Sequence, residues 1–235
     1  MTKTGDNIEA KNANWQFKGE MVDYFEDHIS KSVPLYHQGH KLIENLSDYF
    51  IKDDSICYEL GSSTGTLLYK IAKRHIFRKS WFIGIEIEKD MVDKSNRLYT
   101  TQNLLFVNDD IKTIELEKSD MIISYYTMQF IHPKHRQELF DKIYRSLNWG
   151  GAFLLYEKVR ANDARFQDIM TNLYTEYKLD MGYSAKEIIN KTKSLKGVLE
   201  PFSTKGNLDL LKRAGFVDII TVQKYMNFEG FLAIK

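Results

Sequence analysis

The stretch ICYELGSSTG, residues 56–65, decides the fold. An apolar run ends beside the acidic Glu59, and Gly61, Ser62, Ser63, Thr64 and Gly65 follow as a turn of small residues. TLLYKIAKR then reads as a helix. Strand, small-residue turn and helix form the opening unit of an open α/β sheet, whose ligands bind beyond the carboxyl ends of the strands.

Outward from that unit the same rhythm repeats. WFIGIEI precedes the helix-like KDMVDKSNRLYTT, then come LLFV, DMIISYY, the helix-like PKHRQELFDKIYRSLN and GGAFLLYEKV. Such apolar, β-branched runs suit strands buried on both faces. Alternation with helices predicts an α/β, Rossmann-like doubly wound, mostly parallel seven-stranded sheet. VDIITVQKY and FEGFLAIK close it as an antiparallel C-terminal hairpin. The helix GNLDLLKRAGF is closed by Gly215. Ahead of the sheet, residues 15–50 show helical spacing, with Met21, Phe25 and Ile29 on one face and Leu42, Leu46 and Phe50 on another. Pro34 separates the two helices. Residues from about 160 to 204 read as a helical insertion or cap. The expected organisation is a mobile polar tail over 1–14 and a single domain over 15–235.

The bulk numbers exclude more than they assert. At 235 residues and a formal net charge of +1, electrostatics gives no strong nucleic-acid signal. No apolar stretch is long enough for a membrane span, and the N-terminus lacks a signal peptide's apolar core. The single cysteine, Cys57, reads as a buried strand residue. A cytoplasmic location is expected. The six histidines are scattered without metal-ligand spacing, so no metal is expected.

The turn selects among ligands. A dinucleotide fingerprint, G-x-G-x-x-G, fails at Ser63, and a P-loop needs a lysine that GSSTGTL lacks. The pattern here is E-x-G-x-x-x-G. A carboxylate at Glu59 suits a cationic amine, and S-adenosylmethionine carries an ammonium, a sulfonium and no phosphate. Glu86 ends the second strand 25 residues beyond Gly61, the place of a carboxylate that accepts from a ribose diol. NDDI puts Asp109 and Asp110 at the end of the third strand, where Asp110 could accept from an adenine amino group while Ile111 packs on the ring. Three acidic residues on successive strand ends point to S-adenosyl-L-methionine as cofactor, with S-adenosyl-L-homocysteine as product.

The pieces WQF, SKSVPLY, ELGSSTGT, TMQFI, LFDKIYRSLNWGGAFLLYEK, GYSAKEI and KRAGF give a closer likeness. From about residue 14 onward the chain resembles class I S-adenosylmethionine-dependent methyltransferases, closest to the carboxy-S-adenosylmethionine synthase branch of tRNA wobble-uridine modification. The resemblance implies that Glu59, Gly61, Ser62, Ser63 and Gly65 line the methionine end of the cofactor. It implies Glu86 at the ribose, Ile87 and Met91 beside the adenine, and Asp110 and Ile111 on the base. It implies Tyr125 near the methionine amine and Tyr36 closing over the cofactor. It also implies a homodimer.

The synthase branch uses prephenate and holds the extra carboxylate with an arginine shortly after G-Y-S-x-x-E-I. The ungapped match here is Thr192, with Lys193 next to it. Threonine offers no bidentate fork, and lysine is a point charge. The sequence therefore favours methyl transfer to an unidentified small-molecule acceptor, with carboxy-S-adenosylmethionine synthesis as the alternative and a non-catalytic dimeric scaffold as a third reading. Methyl transfer mainly requires alignment and exclusion of water. His132 is the candidate base, set against its capping the helix that starts at Pro133. Tyr126, Tyr183 and Lys193 are the candidate substrate-pocket residues.

Overall fold

The structure is a computed structural model that describes residues 2–5, 9–15, 17, 19 and 21–235. Met1, Asp6, Asn7 and Ile8 of the expected tail lie outside the described residues, as do Gln16, Lys18 and Glu20 in the expected helical segment. In the tail, β1 (Thr2–Lys3) pairs antiparallel with β2 (Glu9–Ala10). Two helices follow, α1 (Met21–Ser32) and α2 (Tyr36–Ser47), on either side of Pro34. The alternating part then runs β3 (Ile56–Leu60), α3 (Thr66–Arg74), β4 (Trp81–Glu86), α4 (Lys89–Leu98), β5 (Leu104–Asn108), β6 (Ser119–Tyr125), α5 (Pro133–Ser146) and β7 (Leu147–Lys158). The helical insertion holds α6 (Ala164–Asp180) and α7 (Ala185–Ser194). The chain ends with α8 (Thr204–Ala214), β8 (Asp218–Tyr225) and β9 (Phe228–Ile234).

The seven-stranded sheet has the order β5-β4-β3-β6-β7-β9-β8, and only β9 runs against the others. The doubly wound sheet and its C-terminal hairpin are thus as the sequence predicts. The central strands are buried on both faces, and successive residues pack on opposite sides of the sheet. Cys57, Met121, Ile123, Ala152 and Leu154 pack on one face under α2, α3 and α4. Tyr58, Leu60, Ile122, Phe153 and Leu155 pack on the other under α5 and α8. This explains why the strands read as continuous apolar runs. Cys57 is fully buried, and burial pushes its thiol pKa well up.

One helix face differs from expectation. The buried side of α2 carries Tyr36, Gly39, His40, Ile43 and Ser47, while Leu42, Leu46 and Phe50 are only half-buried. Polar residues there hydrogen-bond inside the fold, as Ser47 Oγ does with His75 Nε2 at 2.7 Å, so apolar spacing misplaced the stripe. Among the described residues no helix is long and apolar enough to cross a membrane.

Candidate functional site

The carboxyl ends of β3, β4 and β6 meet at a cavity of about 330 Å³. Its floor is the small-residue turn. Gly61 and Ser62 donate their N–H groups to the Ile85 carbonyl at 2.8 and 3.1 Å, which fixes the turn to the tip of β4. Gly61 has φ 77°, and a Cβ there would sit 2.4 Å from the Thr127 side chain. A side chain at 61 is therefore excluded both by conformation and by space. Ser63 also has a positive φ, 49°. The Ser62 hydroxyl is buried with no partner among the described residues.

Carboxylates ring this cavity. Glu86 accepts from the Ser63 N–H (2.9 Å) at Oε2 and from the Glu88 N–H (3.0 Å) at Oε1. Each oxygen keeps a further lone pair. Burial raises its pKa, and the two backbone donors oppose that shift. Glu59 is buried and accepts from the Leu68 N–H in the first turn of α3, at 3.2 Å. Burial pushes its carboxyl well above the usual range, with Glu26 and Glu86 adding to the effect. Glu26 of α1 also lines the cavity, and its Oε1 accepts from Thr64 Oγ1 (2.5 Å) and Thr66 Oγ1 (2.7 Å). Asp110 lines it too, with Oδ1 accepting from the Lys112 N–H at 2.9 Å and Oδ2 paired to Lys112 Nζ at 3.1 Å.

Aromatic residues close the other side. Tyr125 ends β6 and donates its hydroxyl to the Tyr36 carbonyl at 2.7 Å. His40 packs 4.4 Å from the Tyr36 ring, and burial lowers its pKa to about 3, so it is a neutral imidazole. Tyr126 follows β6 with φ 61°, and its buried hydroxyl has no partner among the described residues. A non-glycine residue in that conformation at a strand tip is a mark of functional sites.

Most of the residues expected at the cofactor do converge. Tyr36, Glu59, Gly61, Ser62, Ser63, Glu86, Ile87, Met91, Asp110, Ile111 and Tyr125 all line the cavity, and so does Tyr126. Five other expected residues are not brought there. Gly65 turns away, and a Cβ on it would meet the Phe106 ring at 2.5 Å. Asp109 is exposed and accepts from the Asp110 N–H. His132 is the N-cap of α5, its Nδ1 accepting from the Lys134 N–H at 3.2 Å, and it lines neither cavity described here. Tyr183 is buried with its hydroxyl 3.2 Å from His28 Nδ1. Lys193 points outward, because residues 191 and 193 lie about 200° apart around a helix and only one can face inward. The inward residue is Lys191, whose Nζ donates to Ser32 Oγ at 2.7 Å.

A second cavity, about 510 Å³, adjoins the first. Phe17, Phe25, Ile29, Gln129 and Phe130 line both. Among the described residues its charged lining is mainly basic: Lys158, Arg160, Lys178, Lys191 and Lys196, against a single acid, Glu200. Sequence spacing does not bring these lysines together: Lys158 ends an apolar strand, Lys178 and Lys191 lie on separate helices and Lys196 follows α7.

Comparison with known proteins places this geometry. Residues 58–151 match the model of a methyltransferase domain. A Staphylococcus epidermidis protein named carboxy-S-adenosyl-L-methionine synthase is 35% identical over 222 residues, covering 94% of this chain and 97% of its own length. One of the same name from Campylobacter lari is 34% identical, covering 94% of each. A solved structure of Haemonchus contortus phosphoethanolamine N-methyltransferase 2 in complex with S-adenosyl-L-methionine superposes with a TM-score of 0.64 at 16% identity, covering 94% of this chain and 58% of that one.

Proposed function

Since the chain belongs to the carboxy-S-adenosyl-L-methionine synthase family, within the methyltransferase fold, we propose that it makes a carboxylated S-adenosyl-L-methionine. The enzyme is an S-adenosyl-L-methionine-dependent transferase. The residues of the first cavity fit that cofactor. Glu86 accepts from the ribose hydroxyls through the lone pairs its backbone donors leave free. Asp110 and Ile111 take the adenine. Glu59 and Glu26 supply negative charge for the ammonium and sulfonium, and the unpartnered Ser62 hydroxyl supplies a further polar contact. Bound there, the cofactor supplies a carbon activated by a neighbouring sulfonium. Phe17, Phe25, Ile29 and Phe130 keep water from that carbon.

The observation that carries the finer reading is the basic second cavity sharing a wall with the acidic first. The product differs from the cofactor by a carboxylate on one carbon, so a carboxyl donor must share the chamber. Prephenate, the donor implied by the resemblance, is an anion, and a basic chamber suits it. Lys191, one residue before Thr192, lines that chamber where an arginine fork is missing. Methyl transfer to a small acceptor is the second reading. It is favoured by Thr192, whose hydroxyl donates to the Ile188 carbonyl within α7 and offers no fork.

We place the enzyme in the cytoplasm as a homodimer, and the exposed apolar side chains of Phe166, Ile169 and Leu173 on α6 support a self-association surface. Mass spectrometry of small molecules released by denaturing the purified protein tests the main reading. A carboxylated cofactor supports it. Retention of only S-adenosyl-L-methionine or S-adenosyl-L-homocysteine, even after incubation with prephenate, favours methyl transfer.

A further inference from the structure

The second cavity holds two lysines, one buried and one half-buried, that no acidic side chain pairs with among the described residues. Lys178 of α6 is 6% exposed. Lys158 ends β7 and is half-buried. Both ammonium groups lie over the ring of Tyr174, at 4.2 and 4.6 Å from its centroid. Neither makes a hydrogen bond or ion pair with any side chain or carbonyl among the described residues. Tyr174 is itself fixed, donating its hydroxyl to the Ser32 carbonyl at 2.7 Å.

This is a costly arrangement. Buried cations are normally paired or hydrogen-bonded, and two that also repel one another need a compensating group. A ring face offsets only part of that cost. The folded-state environment does the rest of the diagnosis: burial lowers both lysine pKa values to about 8, and for Lys158 the nearby Lys178 adds to the shift. Contrast Lys191 in the same cavity, which is held by Ser32. An anion in the cavity that both residues line would offset the charge of each. A carboxylate has the right charge and enough lone pairs to accept from two ammonium groups.

We propose that Lys158 and Lys178, converging on Tyr174, form the binding site for the carboxylate of a small organic acid, the second substrate of the enzyme. The site rests on the proposed function for the identity of that acid, but its geometry stands apart from the cofactor residues. Lys158 and Lys178 line the second cavity only.

Isothermal titration of the full chain tests it, with three probes: S-adenosyl-L-homocysteine, prephenate in its presence, and malonate as a simple dicarboxylate. Lys158→Met and Lys178→Met are expected to weaken prephenate binding at least tenfold each, and the double variant to abolish it. S-adenosyl-L-homocysteine affinity is expected to stay within twofold. Lys158→Gln and Lys178→Gln serve if a methionine variant does not fold. Lysine-dependent binding of malonate without binding of prephenate would keep the anion site and remove prephenate. Failure of the wild type to bind S-adenosyl-L-homocysteine would remove the cofactor reading, and malonate would still decide the lysine site. Undiminished binding of both acids by the double variant, or no binding of either by the wild type, would overturn the proposal.

Discussion

The two cavities share a wall and carry opposite charge. In the first, the carboxylates of Glu26, Glu59, Glu86 and Asp110 are braced by backbone N–H groups and threonine hydroxyls before any ligand arrives. In the second, Lys158 and Lys178 face little but aromatic carbon. One site is preorganised by its own backbone; the other is left incomplete. The difference teaches where binding energy goes. A preorganised site holds its ligand with little rearrangement, whereas unsatisfied charges gain most when a complementary ligand enters.

The comparison is sharpened most by removing the brace that belongs to one cavity alone. Glu86→Ala is expected to weaken S-adenosyl-L-homocysteine binding by about 100-fold, because it removes charged hydrogen bonds worth roughly 1.5–3 kcal/mol each. It also frees the Ser63 and Glu88 N–H groups. Calorimetric titration with malonate should be unchanged, and a parallel loss there would break the division into two sites.

Next in size is the turn itself. Gly65→Ala places a side chain at φ 77° and against the Phe106 ring, which a Cβ would meet at 2.5 Å. A loss of about 2–3 kcal/mol is expected in urea unfolding.

Lys158→Met should move stability in the other direction, by a gain of about 1–3 kcal/mol at pH 7, since replacing a buried charge by an apolar side chain is often stabilising. The sign follows from its pKa, which burial lowers from the ordinary 10.5 to about 8 in the folded chain. Between those values the unfolded chain binds a proton that the folded chain does not, so wild-type stability rises with pH across that window. The variant should lack that rise in pH-dependent melting curves.

Ligand affinity should show opposite pH trends in the two cavities. Acidification protonates the carboxylates, whose pKa values burial has raised, and weakens cofactor binding. Malonate binding should instead fall as pH rises above about 8 and the ammonium groups neutralise. Arg160, Lys191, Lys196, His28 and Glu200 also line that chamber. A flat profile for malonate would argue against the lysine pair.

The smallest effect is expected at His132. It caps α5 through Lys134 N–H, so His132→Ala should cost roughly 0.5–1 kcal/mol in thermal unfolding and leave turnover within twofold.

The sequence made the first cavity legible and left most of the second hidden, for a physical reason. Glu59, Gly61, Glu86 and Asp110 occupy strand ends whose places follow from the β-α rhythm, and ligands of such sheets bind there. Glu26 reaches the same cavity from α1, far away in sequence, and a glutamate in an amphipathic helix has no local signature. Asp109 and Lys193 were off by one or two residues, a shift that changes the face of a strand end or a helix. Lys158 did leave a trace. Glu157 and Lys158 extend an apolar strand without a turn residue, and Glu157 proves 1% exposed. Charged residues that continue a buried strand are a signal that helix-borne Lys178 does not give.

The most direct measurement is mass analysis of the products formed by the purified enzyme from S-adenosyl-L-methionine and prephenate. The expected product is the cofactor heavier by one carbon dioxide, formed by the wild type and lost in the Lys158→Met/Lys178→Met double variant. Unchanged cofactor, or S-adenosyl-L-homocysteine together with a methylated acid, would contradict the account.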